Sequence, residues 1–128
     1  MMIELNQISR TDFKIQVLKN KDSIHWFIWY VQNKVDGIEF KSLFSNNNEI
    51  GVCFFIETTD STEIGILISK DYRQNGFGTD LIKQLILHRK KALKFIVLKY
   101  NTASLSFFKK LTNEGILDSW QNERGTVF

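Results

Sequence analysis

The chain has 128 residues, 43% of them hydrophobic and 24% charged, which fits a single domain over residues 1–128 with a buried core and excludes a disordered chain. A net charge of +3 permits a phosphate-rich ligand but is too small a bias to argue for nucleic acid. The single cysteine, Cys53, excludes an internal disulfide framework and cysteine-rich metal sites, so no metal is expected; in its apolar run it reads as a buried, inert thiol.

At the N-terminus, Met1-Met2-Ile3-Glu4-Leu5 lacks the basic region and apolar core of a signal peptide. No apolar run approaches the ~20 residues of a membrane span. A cytoplasmic protein without a membrane partner is the expectation. Met2 to Ile8 reads as a first strand, and Thr11-Asp12 as the cap of a helix carrying Phe13, Val17 and Leu18. Asn20 to Ser23 is a polar break. Ile24-His25-Trp26-Phe27-Ile28-Trp29-Tyr30-Val31 then reads as a second helix, apolar nearly all round, although its aromatics also permit a strand.

Asp36-Gly37 is a turn, and Ile38 to Phe44 a strand. After Ser45-Asn46-Asn47-Asn48 comes the longest strand, Glu49 to Thr58, with Ile50, Val52, Phe54 and Ile56 on one face and Gly51, Cys53 and Phe55 on the other. Apolar residues on both faces mark a central strand. A hairpin through Thr59 to Thr62 leads into the strand Glu63 to Ile68. Gly78 to about Leu93 is the strongest helix pattern, with Leu81, Ile82, Leu85 and Ile86 as its stripe. His88-Arg89-Lys90-Lys91 falls in its last turns, either as a solvated helix end or as a phosphate contact. Phe95 to Leu98 is an apolar strand, joined through that helix and so parallel to the one before it. A short helix with Leu105, Phe107, Phe108 and Leu111 follows Asn101 and ends at Asn113-Glu114-Gly115. Ile116 to Gln121 and Thr126 to Phe128 form a closing hairpin.

The loop Arg73-Gln74-Asn75-Gly76-Phe77-Gly78-Thr79 lies between a strand and the best helix. A glycine loop opening a helix suits an anion, because the N–H groups of the first turn point outward and the helix dipole favours negative charge there. Gly76 and Gly78 carry no side chain to hold a phosphate away, and Thr79 adds a hydroxyl.

Arg73-Gln74-Asn75-Gly76-Phe77-Gly78 resembles the Arg/Gln-x-x-Gly-x-Gly/Ala signature of the GCN5-related N-acetyltransferases, the GNAT family. Asn101-x-x-Ser104-Leu105-x-Phe107-Phe108-x-Lys110 resembles that family's later segment. The resemblance covers residues 36 to 111 well and the ends loosely. It implies an α+β (α/β) fold: a mixed, mainly antiparallel sheet flanked by about four helices in a three-layer sandwich, splayed open beside the glycine loop. It implies acetyl-CoA as cosubstrate, bonded by the backbone around Leu67, Ile68 and Ser69. Its pyrophosphate lies on the loop from Arg73 to Thr79, and Asn101, Ser104, Phe107, Phe108 and Lys110 line the cofactor. Arg73 either contacts phosphate or orients the loop, and Asn101 either bonds pantetheine or caps its helix.

The implied reaction is direct attack of a primary amine on the thioester, with a backbone N–H near Leu67 or Ile68 facing the oxyanion. Glu63 is the first candidate base, against its being a solvent-facing hairpin residue, and His25 the second, against a structural histidine; Glu57 and Glu49 are weaker. Many members place a tyrosine where this chain has Phe108. The thiolate then leaves unprotonated or takes its proton from water or another group; Tyr100 is close in sequence but at a strand end. Ser23 to Phe27 is similar to a branch that acetylates nucleotide-linked amino sugars. There Trp26, Trp29 and Tyr30 either wall a sugar or pack the core. The final strands look trimmed, which a homodimer would complete. Two other readings stay open: a non-catalytic acyl-CoA sensor with this fold, and a structural domain with an empty loop.

Overall fold

A computed structural model describes residues 2–19, 37–98, 102–118, 120–122 and 125–127. In chain order these form β1 (Glu4–Ile8), α1 (Arg10–Leu18), β2 (Ile38–Ser45), β3 (Asn48–Glu57) and β4 (Ser61–Ile68). A 3-10 turn at Lys70–Tyr72 leads to α2 (Phe77–His88), β5 (Ala92–Leu98), α3 (Thr102–Asn113), β6 (Trp120–Asn122) and β7 (Gly125–Val127). The sheet order is β1-β2-β3-β4-β5-β7-β6, antiparallel throughout except where β5 joins β4 through α2 and runs parallel. The element expected at residues 24 to 31 lies outside the described residues.

Each turn has a local cause. Ser9, not Thr11 or Asp12, caps α1: its Oγ accepts from the Asp12 N–H at 3.0 Å. Phe13 and Val17, one turn apart, are thereby aimed at the sheet. The β2–β3 hairpin turns on Asn46 and Asn47, both at positive φ (49° and 66°), the conformation of tight primed turns and one that Asn tolerates. Gly115, at φ 77°, closes α3, and the Ile116 N–H returns to the Leu111 carbonyl at 2.9 Å.

Two expectations fail for tertiary reasons. The β2–β3 register shifts between Leu43 and Phe44, leaving Ile50 as a bulge. Ile50 therefore packs with Leu43 and Cys53 instead of sharing the Val52 face. Helix α2 stops at His88, short of Leu93: Arg89 is extended, and Ala92 and Leu93 pair with Ser61 and Thr62 as the start of β5. At the C-terminal end, Ile116 to Asp118 form no strand, and β6 begins at Trp120.

The sheet is covered on both sides. On one, Phe13 and Val17 of α1 pack on Phe40, Val52, Phe54 and Leu67, with the Phe13 ring 4.7 Å from Phe40. On the other, Leu81 and Ile82 of α2 and Phe108 and Leu111 of α3 pack on Cys53, Ile64 and Phe95. Gln84 fixes α2 over the edge of the sheet: its amide accepts from the Ile3 N–H (2.9 Å) and donates to the Ile3 carbonyl (2.8 Å).

Candidate active site

The site begins where β4 and β5 part. Their pairs run from Ser61–Ala92 to Ile64–Phe95, whereas β4 continues to Ile68 and β5 to Leu98. Beyond Ile64 the outer side of β4 faces a gap, and β5 takes β7 as its partner from Ile96 on.

The register fixes which backbone groups face that gap. The Thr58 N–H donates to the Ser61 carbonyl and the Ser69 N–H to the Ile50 carbonyl, each at 2.8 Å. Both pairs lie on the β3–β4 register, in which hydrogen-bonded pairs alternate with pairs whose polar groups turn outward. Glu63, Gly65 and Leu67 therefore bond to β3. Ile66 and Ile68 turn their N–H and C=O groups toward the gap, while their side chains pack beneath α2. Of the two expected oxyanion donors, Ile68 turns its N–H toward the gap and Leu67 bonds its own to β3. Ile66 is a further candidate that sequence reading missed, because only the register shows it.

The glycine loop closes one end of the gap. Arg73 Nε donates to the Ile68 carbonyl at 2.9 Å, which is the loop-orienting of its two expected roles. Asn75 Nδ2 bonds the Arg73 carbonyl at 3.2 Å, and the Tyr72 and Phe77 rings meet edge-on at 6.1 Å beneath the loop. Gln74 (φ 64°) and Gly76 (φ 82°) both take the left-handed conformation. The first helical bond joins the Asp80 N–H to the Gly76 carbonyl at 3.0 Å, so the N–H groups of Phe77, Gly78 and Thr79 precede it. These donors, the αL cradle and the space over Gly76, where among the described residues only its chain neighbours would come within 4 Å of a Cβ, fit a pyrophosphate.

Gly78 does something else. A Cβ there would stand 3.1 Å from Phe107 Cζ, so this glycine admits α3 against the first turn of α2. The loop and the Ser104–Lys110 segment, distant in sequence, thus meet at one contact. Phe108 is 8% exposed; its ring lies tilted against Phe95 (5.4 Å) and edge-on to Phe107 (5.2 Å). Ser104 is half-buried and Lys110 exposed. Asn101, Tyr100, His25, Trp26, Trp29 and Tyr30 lie outside the described residues.

Glu63 is half-buried on the α1 side of β4, with Gly65 and Leu67. Phe54 fills the space over Gly65: a Cβ there would meet its ring at 2.2 Å. Glu57 lies on the opposite side and is engaged. Lys91 Nζ reaches it at 3.1 Å and Thr62 Oγ1 at 3.0 Å; the Lys91 hydrogen bond, then that of Thr62, outweighs desolvation and holds its carboxyl below the usual range. Glu49 flanks the bulge of β3. A cavity of about 500 Å³ opens beside the C-terminal end of α2, rimmed by His88, Arg89, Lys90 and Lys91. That basic run begins about 18 Å along the helix from the glycine loop and so stands apart from the anion cradle. Among the described residues, no cluster of His, Cys, Asp or Glu is placed to hold a metal, and no helix is long and apolar enough to cross a membrane.

Solved structures share this architecture. The N-acetyltransferase PseH of Campylobacter jejuni, in complex with acetyl coenzyme A, aligns over 98% of this chain and 95% of its own (TM-score 0.63, 17% identity). An acetyltransferase from Thermus thermophilus aligns over 99% and 94% (TM-score 0.68, 14% identity). RimL, a ribosomal L7/L12 alpha-N-protein acetyltransferase in complex with coenzyme A, aligns over 99% and 91% (TM-score 0.67, 15% identity). No curated protein sequence matches the chain. The model of the acetyltransferase (GNAT) family matches residues 4–112, a span that takes in the parted strands, the glycine loop and the Phe107 contact. With most of its length matched, the chain belongs to the GNAT acetyltransferase family, whose acyl donor is acetyl-CoA.

Proposed function

We propose that the protein moves the acetyl group of acetyl-CoA to the primary amine of a small molecule, with a nucleotide-linked amino sugar as the preferred acceptor. The observation that carries the transferase reading is the parting of β4 and β5 next to the αL loop of α2. The parted strand turns the N–H groups of Ile66 and Ile68 outward, and the loop that follows it leaves those of Phe77 to Thr79 ahead of the first helical bond. The amino-sugar preference is supported by the short His25-Trp26 likeness and by the shared fold of PseH.

When bound, acetyl-CoA supplies the acyl group and a thiol leaving group. The chain contributes position and polarity. The N–H of Ile66 or that of Ile68, which stand too far apart on a regular strand to share one oxygen, would face the thioester carbonyl and stabilise the charge that develops on it. Glu63, through a water, takes the proton from the acceptor ammonium, so that a neutral amine attacks. Phe108 has no hydroxyl to give, so the thiolate leaves unprotonated, which a thiol pKa near ~8.5 tolerates, or takes its proton from water or another group.

Thermal unfolding with acetyl-CoA and thiol release across a panel of amines test the reading. A ligand at ~100 times its dissociation constant adds about 2.7 kcal/mol of stability. An unchanged midpoint refutes cofactor binding, and binding without release for any amine favours a sensor. Glu63→Gln should lose most activity near neutral pH; full activity at every pH removes Glu63 as the base.

A further inference from the structure

Glu63 has a cationic neighbour across the sheet. β4 and β5 run in the pairs Thr62–Leu93, Glu63–Lys94 and Ile64–Phe95. Registered residues of adjacent strands project to the same face, and successive residues to opposite faces. Leu93 and Phe95 pack with Ile64 beneath α2 and α3. Lys94 therefore projects beside Glu63 on the α1 face, one residue before the strands part. It is half-buried and makes no hydrogen bond or ion pair among the described residues. Its charge is felt locally: the Asp60 carboxyl is held low first by the Thr58 hydroxyl and then by Lys94.

This lysine is costly for a plain amine. An alkylammonium brings a positive charge to a face that already holds one, and only Glu63 among this pair attracts it. An acceptor that also carries an anion matches both charges, and the flexible lysine stem lets the ammonium follow that group. We propose that Lys94 is a specificity-determining residue that pairs with a phosphate or carboxylate on the acceptor whose amine is handled at Glu63. The proposal rests on the acetyltransferase reading above and narrows its substrate class to anionic amines.

Matched amines test it: glucosamine against glucosamine 6-phosphate, and tyramine against tyrosine. In the wild type, kcat/KM should favour the anionic member of at least one pair by roughly tenfold. The pair that responds tells phosphate from carboxylate. Lys94→Gln should bring that ratio near one by raising KM for the anionic member, with kcat and the acetyl-CoA Kd unchanged, and Lys94→Arg should restore it. A ratio that survives Lys94→Gln, or a wild type indifferent to the anion in both pairs, overturns the role of Lys94 and leaves the acetyltransferase reading standing. Acetyl-CoA binding without transfer to any of these four amines or to a nucleotide-linked amino sugar overturns both.

Discussion

Gly76 gives the sharpest test of the cofactor site, because its two possible roles separate. It caps α2 at φ 82° and ψ 0°, and among the described residues nothing but its chain neighbours lies within 4 Å of where a Cβ would stand. An alanine there meets no clash and incurs only the left-handed backbone cost, about 1–2 kcal/mol. If the loop holds its shape, that cost appears in global stability. If the loop relaxes, it must be restored on binding, and acetyl-CoA binds about 5–30-fold more weakly. Gly76→Asn, which tolerates this conformation, should recover most of either loss. Gly76→Trp carries the same backbone cost and adds a ring to space the protein leaves open. With a pyrophosphate in that space, it loses charge-assisted bonds worth ~1.5–3 kcal/mol each, so Kd rises roughly a hundredfold beyond alanine at a similar unfolding midpoint. Calorimetric titration and urea unfolding of the three variants measure both terms. Equal Kd for alanine and tryptophan refutes the pyrophosphate placement; asparagine as damaging as alanine refutes the conformational cost.

The other glycines of the sheet sort by what they touch. A Cβ at Gly51 would lie 2.2 Å from the Leu67 carbonyl oxygen, fixed backbone, whereas one at Gly65 would lie 2.2 Å from the Phe54 ring. Both alanine variants should lose about 1–3 kcal/mol or more in urea unfolding, and only Gly65→Ala should be partly rescued by adding Phe54→Leu. Burial pushes the Cys53 thiol up to about 12 against the opposing charge of Lys41. It should stay unlabelled by a disulfide reagent at pH 8 in the folded protein and react in guanidinium chloride; fast labelling of the native state contradicts this burial. Glu57 has a lowered folded-state pKa, so its contribution is complete above the usual glutamate range and lost as pH falls through the folded value. The stability gap between wild type and Lys91→Gln should therefore be present at pH 7, close in strong acid, and shrink with added salt because the pair is exposed.

Local signals made much of this legible. The period-2 pattern of β4 put Glu63, Gly65 and Leu67 on one face, and the Asn46-Asn47 and Gly115 turns follow from residues that accept positive φ. The glycine loop was readable because a helix start is written in a few adjacent residues. What sequence did not reveal depends on pairing at a distance. The bulge at Ile50 arises from the β2–β3 register. The end of α2 is set by the claim of β4 on Ala92 and Leu93, which an apolar helix stripe mimics. The approach of Phe107 to Gly78 is likewise hidden, because the two lie far apart in sequence. Ile66 is invisible as a candidate because its relevant atoms are backbone.

That last point explains how this fold divides its work. In β4 the residues that turn backbone donors to the gap bury their side chains under α2, while Glu63 and Leu67 commit their backbone to β3 and present side chains on the α1 face. The loop adds N–H groups from Phe77, Gly78 and Thr79, which depend on conformation more than on identity. The cofactor half is thus written in backbone geometry and survives substitution, in keeping with a fold shared at 14% and 17% identity. On the proposed reading the acceptor half is written in side chains, Glu63 and Lys94. On that reading single substitutions on one face of β4 and β5 should change acceptor choice while the backbone donors of the loop stay in place. It follows that exchanges on this face should alter KM for the amine and leave the acetyl-CoA Kd in place, and exchanges at Gly76 should do the reverse.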